Sequence, residues 1–345
     1  MNLVIRADAS GQIGTGHVMR CLAIAQAWQE QAGQVIFILV NKSSTIENRL
    51  LLEGMKVVYL SVEVGSNEDA QQTIDFAQRF DAEWIVVDGY HFGASYQKTI
   101  KDFGLSLLFI DDYGHADHYY ADLVLNQNIS ANQDLYTSRE PYTRLLLGTK
   151  YTLLRQEFLS WRDWQRVINP IASKILVTLG GSDPDNVTLK VIQALQKVNN
   201  NNLEVIVVVG ASNPHHEMLQ AEFVESKLSV SLRRNANNMP ELMAWADIAI
   251  SGSGSTCWEL SFMGLPSLVI TIAENQRAIA NELDARSLIV NLGWHQQITL
   301  KQISLAVEEL IDKRNEREEM SKRGRELVDG NGANLVVSQM INMLA

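Results

Sequence analysis

Leu3-Val-Ile-Arg-Ala-Asp-Ala-Ser-Gly-Gln-Ile-Gly-Thr-Gly-His17-Val-Met-Arg-Cys21 runs from an apolar strand through a glycine-rich loop into a helix. The strand covers residues 3–5, and the helix begins at about His17. Gly11, Gly14 and Gly16 let the backbone take positive φ and approach a ligand closely. The start of a helix presents unpaired N–H groups and a partial positive charge. An imidazole placed there is disfavoured in its protonated form, which poises it as a base. The segment therefore reads as an anion-binding turn with a general base built into it. Its plain alternative is a tight turn with a helix-capping histidine.

Strand-sized apolar runs continue outward from this stretch and alternate with helical patterns. In the first half they fall at 35–40, 57–60, 84–87, 107–110 and 123–125. In the second half they fall at 174–178, 203–209, 230–232, 248–250, 267–270 and 288–291. This alternation predicts an α/β fold of parallel sheets with crossover helices. Near-continuous Val/Ile/Leu runs suit strands buried on both faces. The rhythm breaks at about 142–170, and the strand–glycine-turn–helix pattern restarts at Ile175-Leu-Val-Thr-Leu-Gly-Gly-Ser-Asp183. The expected organisation is an N-terminal Rossmann-like domain over 1–155, a linker over 156–170 and a C-terminal Rossmann-like domain over 171–345. Two such domains imply a central cleft, because ligands bind beyond the carboxyl ends of the strands.

With 29 Lys and Arg against 40 Asp and Glu, the net charge is −11. An acidic chain with no basic cluster is not expected to bind nucleic acid or an anionic membrane. It can still hold a diphosphate through loop amides. Cys21 and Cys257 form no disulfide framework and no metal knuckle, which favours a reducing, cytoplasmic setting. No secretory signal and no membrane-spanning run is visible. The charge does not set an oligomeric state, and a monomer satisfies the reading.

The spacing G-x-x-G-x-G, with a second strand ending Leu39-Val-Asn41, argues against a dinucleotide cofactor. Ser251-Gly-Ser-Gly-Ser-Thr-Cys-Trp-Glu259 follows a strand and opens a helix. Ser253, Gly254, Ser255 and Thr256 could form a phosphate nest, with Glu259 one turn on placed for a ribose diol. Glu259 also suits a plain first-turn glutamate. Gly180-Gly181-Ser182-Asp183 could close over the same ligand, or serve as a βα turn with Ser182 or Asp183 as cap. Ala273-Glu274-Asn275-Gln276 is a polar cluster at a strand end. Val87-Asp88-Gly-Tyr90-His91 and Ile110-Asp111-Asp112-Tyr113-Gly-His115 place Asp, Tyr and His at two further strand ends. Their aspartates could orient a histidine, bind a sugar or cap a helix; no metal-ligand spacing is present.

The string Arg6-Ala-Asp8, Gly14-x-Gly16-His17-x-Met19-Arg20-Cys21 resembles the UDP-2,4-diacetamido-2,4,6-trideoxy-β-L-altropyranose hydrolases of pseudaminic acid biosynthesis. The resemblance continues through Asp88-Gly-Tyr90, 110–113, 179–183, 251–259 and 274–276. The later glycine motifs are also similar to the peptidoglycan N-acetylglucosaminyltransferase family, which has the two-domain GT-B fold. The resemblance implies a metal-independent nucleotide-sugar hydrolase that needs no cofactor. It would release UDP and the free sugar with inversion. It implies His17 as general base, with Tyr90 and Asn275 near the reactive water. Arg6, Asp8, Gly14, Gly16, Arg20, Gly181, Ser182, Ser253, Gly254, Ser255, Thr256, Glu259, Glu274 and Gln276 would contact substrate. The competing readings are a UDP-sugar glycosyltransferase of the same fold and a non-catalytic nucleotide-sugar-binding subunit.

Overall fold

The computed structural model describes residues 1–9, 14–200, 202–210, 213–225 and 228–344. Gly11 of the first glycine loop lies outside the described residues. The chain forms two units, each built on a parallel sheet.

The first sheet holds β1 (Asn2–Ala7), β2 (Gln34–Leu39), β3 (Lys56–Tyr59), β4 (Trp84–Asp88), β5 (Ser106–Ile110), β6 (Leu123–Asn126) and β7 (Arg144–Leu147). Their spatial order is β3-β2-β1-β4-β5-β6-β7, and every pairing is parallel. Helices α1 (Gly16–Glu30), α2 (Ser44–Leu52), α3 (Asn67–Arg79) and α4 (Ala94–Asp102) connect the first five strands. α1 is apolar almost all round, with Val18, Cys21, Leu22, Ile24 and Trp28 fully buried against the sheet. By contrast, α3 is amphipathic and buries only Asp69, Ala70, Thr73, Ile74 and Ala77. Ser66 and Ser43 cap α3 and α2 through their hydroxyls.

The second sheet holds β8 (Lys174–Thr178), β9 (Glu204–Val209), β10 (Ser229–Arg234), β11 (Ile248–Gly252), β12 (Ser267–Thr271) and β13 (Val290–Trp294). Its order is β10-β9-β8-β11-β12-β13, again parallel throughout. In both sheets the chain reverses its direction of travel beside the first strand. The reversals fall between β1 and β4 and between β8 and β11. Such switch points leave a crevice beyond the strands' carboxyl ends.

Leu145–Leu147, where the strand rhythm breaks inside the expected first domain, belongs to β7, the edge strand of the first sheet. Two boundaries differ from the sequence expectation. Residues 157–170 pack on the second unit, where the Arg166 guanidinium reaches the carbonyls of Met243, Ala246 and Met263. The stretch from Gly330 returns to the first unit, so the expected 171–345 domain loses its tail. Its helix, Gly332–Asn342, buries Ala333, Val336, Val337 and Met340 in the core that contains α1. A side chain at Gly332 would collide with the Thr152 carbonyl, so the helix begins backbone against backbone.

Arg6 and Asp8, which the resemblance places on the substrate, are structural. Arg6 is fully buried and grips Asp69 of α3 with two 2.9 Å bonds. Its third nitrogen reaches Asp8 at 2.5 Å, and its plane lies over the Phe92 ring. Asp8 in turn accepts from the Val40 amide after β2 at 2.7 Å. Arg6→Leu would strand two buried carboxylates. We expect a loss of about 3–5 kcal/mol in denaturant unfolding; a loss below about 1 kcal/mol would contradict the structural role.

Candidate active site

The first unit gathers its chemistry at the β1/β4 switch point. His17 is the second residue of α1 and is 8 % exposed. Asp88 ends β4, next to β1, and is fully buried. The His17 Nδ1 lies 2.7 Å from Asp88 Oδ1. With Nδ1–H donated to the carboxylate, Nε2 carries the lone pair, the arrangement a general base needs.

Arg20, one turn further along α1, holds the same carboxylate at both oxygens, through Nε and Nη2 at 2.6 Å each. Its Nη1 donates to Asp112 Oδ1 at 2.7 Å, just past β5. Burial works against charge on Asp88, but Arg20 and then His17 outweigh it and hold its carboxyl well below the usual range. Asp112 is lowered for the same reason, burial again being overcome chiefly by Arg20. The Arg20 side chain is 7 % exposed. Three of its five N–H groups hold the two aspartates in place, and Nη2 also lies 3.3 Å from His17 Nδ1.

Tyr90 donates to Asp112 Oδ2 at 2.6 Å and sets its ring edge-on to His17, with centroids 5.0 Å apart. Burial first, and Asp112 second, push its hydroxyl far above the ordinary tyrosine range. Tyr90 thus stays protonated and buttresses the imidazole. Asn128 completes the cluster by donating to Asp112 Oδ1 at 2.9 Å. Gly14, with φ +73°, and Gly16, the first residue of α1, shape the turn ahead of His17.

The residues expected to hold a nucleotide lie at the carboxyl ends of β8, β11 and β12. Ser253 is fully buried; its hydroxyl faces Thr271 Oγ1 and Gln276 Oε1 at 3.4 and 3.3 Å. Gln276 Oε1 also accepts from the Ile272 amide at 3.2 Å. Ser253 and Gln276 therefore tie two turns together. Gly254 and Thr256 are half-buried and Ser255 is exposed. Ser255 does not cap the Thr256–Phe262 helix with its side chain, so its hydroxyl is not spent there. Glu259 sits in that helix's first turn.

Asp183, with φ +43°, accepts from the amides of Val187 and Thr188 at 2.9 and 2.8 Å and caps the Val187–Leu195 helix. Gly210 must be glycine, because a side chain there would collide with the Gly181 carbonyl. This close approach fixes the turn of Gly181 and the buried Ser182. Glu274, Asn275 and Gln276 form a single 3-10 turn after β12. Glu274 is exposed and pairs with Arg277, which lies over the Trp294 ring.

Both cysteines are buried and unbridged. Burial pushes the Cys257 thiol up to about 12, and the Cys21 thiol well above its usual range, so neither is a ready nucleophile. Among the described residues no helix is long and apolar enough to cross a membrane.

The sequence leaves Asp88, Asp111 and Asp112 with several possible roles each and gives no reason to consider Asn128. The local signal for Asp88 is only an aspartate at the end of an apolar strand. Its histidine partner lies 71 residues away, and only the strand order brings the two together.

Residues 175–333 match the glycosyltransferase family 28 C-terminal domain. The uncharacterized protein MJ1062 of Methanocaldococcus jannaschii is 28 % identical over 80 % of this chain, which spans 57 % of that relative's length. The spore coat polysaccharide biosynthesis protein SpsG of Bacillus subtilis is 26 % identical over 96 % of this chain and 95 % of its own. The UDP-2,4-diacetamido-2,4,6-trideoxy-β-L-altropyranose hydrolase of Campylobacter jejuni is 25 % identical over 82 % of this chain and 96 % of its own. The crystal structure of Acinetobacter baumannii MurG superposes with a TM-score of 0.66 at 16 % identity, covering 99 % of this chain and 100 % of that one. The chain therefore has the GT-B fold, and its residues 175–333 match the glycosyltransferase family 28 C-terminal domain.

Proposed function

We propose that the chain hydrolyses UDP-2,4-diacetamido-2,4,6-trideoxy-β-L-altropyranose at its anomeric C–O bond, releasing UDP and the free sugar. The observation that carries this reading is the His17–Asp88 pair, a buried imidazole oriented by a carboxylate at a switch point. The similarity to the Campylobacter hydrolase supports the substrate.

In this mechanism water attacks C1 of the sugar. Its proton passes to His17 Nε2 as the new C–O bond forms. The bond from C1 to the diphosphate oxygen breaks, and its electron pair leaves with UDP. Attack opposite the leaving group inverts C1. Asp88 stabilises the imidazolium that forms, and Arg20 keeps Asp88 charged and in place. Tyr90 holds the imidazole ring, and Asn275 helps hold the water. Gly181 and Ser182, with the 254–256 turn, receive the diphosphate, and Glu259 takes the ribose. No metal takes part, because backbone amides and hydroxyls carry the leaving-group charge.

Proton NMR of the protein with this UDP-sugar, in excess EDTA and without an acceptor, tests the reading. Release of UDP and of the inverted anomer first is the expected result. Activity lost in EDTA and restored by magnesium would overturn metal independence. The second reading is a glycosyltransferase, favoured by the family 28 domain match. It predicts an intact UDP-sugar until an acceptor is added.

Gly254→Val tests the diphosphate site. A Cβ at Gly254 meets only Gln276 Nε2, at an ordinary 3.5 Å, and a denaturant melt of the variant checks that the fold is kept. Calorimetry should show UDP affinity falling by about tenfold or more, the equivalent of about 1.4 kcal/mol. Unchanged affinity would place the diphosphate elsewhere.

A further inference from the structure

A second histidine sits behind the first. His115 ends the 111–115 turn after β5, and its side chain is 8 % exposed. Its Nδ1 lies 3.0 Å from Asp111 Oδ1, and its Nε2 lies 3.2 Å from the Phe92 carbonyl. Both partners are acceptors without a proton to give. A neutral imidazole donates one N–H and would turn a lone pair on the other oxygen. Only the imidazolium satisfies both contacts.

The two contacts join the loops that build the site. Phe92 lies in the 89–93 loop with Tyr90. Asp111 lies in the turn with Asp112, and gathers the amides of Asp112, Tyr113 and Gly114. The Tyr119 hydroxyl also donates to Asp111. The His115 ring stands edge-on to Tyr90, centroids 5.7 Å apart, and Tyr90 is edge-on to His17 in turn.

We propose that the His115 imidazolium is a positioning residue that clasps the 89–93 loop to the 111–115 turn, and that losing its proton releases Tyr90 and Asp112 from their places around His17. The clasp itself rests on geometry alone; its effect on turnover rests on the hydrolase reading.

Carboxylates and tyrosines face His115, and the exposed His91 shares the 89–93 loop with Tyr90. Asp111 and Asp112 face it from its own turn, and both are held below the usual carboxylate range, burial being outweighed by their partners. Tyr90, Tyr113, Tyr119 and Tyr136 surround this turn, and burial raises all four hydroxyls. Arg20 and His17 of α1 stand beyond Asp112 and Tyr90. Burial alone would lower His115, but Asp111, with help from the Phe92 carbonyl, raises it above its ordinary 6.5. A raised histidine stabilises the fold fully below its unfolded value. That contribution is lost as pH rises through the folded value. The clasp therefore opens on the alkaline side of 6.5.

The test is a titration of the intact, nitrogen-15-labelled protein from about pH 6 to about pH 10. Two-bond proton–nitrogen correlations report the His115 ring, assigned through its own backbone. Both ring nitrogens should be protonated at neutral pH. Amide signals of Tyr90, Phe92 and Asp112 should shift with the same midpoint as the ring. A ring that is neutral at neutral pH overturns the clasp. So does a ring that titrates while the Tyr90 and Asp112 amides stay still. Turnover of the UDP-sugar should fall about tenfold per pH unit above that midpoint. Turnover that stays flat through it overturns the positioning role. A protein without turnover at any pH would sink the hydrolase reading, and the ring and amide signals would still decide the clasp.

Discussion

Replacing His17 with asparagine is expected to lower turnover of the UDP-sugar by about 10²–10⁴-fold and to leave UDP affinity unchanged. The size follows from the work assigned to the ring. Nε2 removes the proton from water as the new bond forms, and asparagine has no basic nitrogen for that step. UDP affinity stays because the nucleotide contacts assigned above lie after β8 and β11, none of them on α1. The fold should also survive. His17 is bonded through Nδ1 to Asp88, and the amide of the substituted side chain can donate to the same carboxylate. Single-turnover kinetics and UDP calorimetry on the same preparation separate the two effects. A variant that keeps wild-type turnover would remove His17 from the mechanism.

Asp88→Asn should be as damaging to turnover, by about 10²–10⁴-fold, through a different route. Arg20 presents two N–H groups to the two oxygens of Asp88, and His17 presents a third. An amide has one oxygen and one NH2. Whichever way the new amide turns, one donor meets a donor. If its oxygen goes to Arg20, His17 must accept at Nδ1 and carry its proton on Nε2, where it is no longer a base. The variant also loses stability, because Arg20 is buried and keeps only one charged partner, Asp112. We expect a cost of about 3 kcal/mol, read from denaturant unfolding. The wild-type carboxyl is held below its ordinary 3.8. Its stabilisation is therefore full above that value and fades only as pH falls towards the folded one. In the variant that acid-side dependence should be absent. A fully active, equally stable variant would mean that His17 draws nothing from Asp88.

The strands are legible because a strand covered on both faces is apolar at nearly every position. Val35 through Leu39 and Val205 through Val209 can hardly be read otherwise. Leu145–Leu147 is harder, since an edge strand this short is bounded by polar residues and looks like connection. His17 is legible because its signal is local, a histidine at a glycine turn before a helix. Its orienting carboxylate is not, because parallel pairing places β4 beside β1 across many intervening residues. Arg6 and Arg20 are hard to read for the opposite reason. A charged side chain next to a glycine loop suggests a ligand, and the order of residues does not show that each also holds buried aspartates, Asp69 and Asp8 for one, Asp88 and Asp112 for the other. Burial of a charge beside its partner cannot be seen in the order of residues.

The helix Gly332–Asn342 gives the chain an unusual order of assembly on the ribosome. Domains generally complete themselves as they emerge, the N-terminal one first. Here the earlier unit is discontinuous, with Glu157–Asp329 translated between its two parts. The face of α1 that meets Ala333, Val336 and Met340 stays uncovered while that stretch is made. At about 5–20 residues per second this interval lasts roughly 10–35 s. The later unit has all of its strands before the earlier one can close. Its nascent partner spends that time with an apolar helix face open to chaperones, and a ribosome stalled before Gly330 holds a first unit that cannot finish folding.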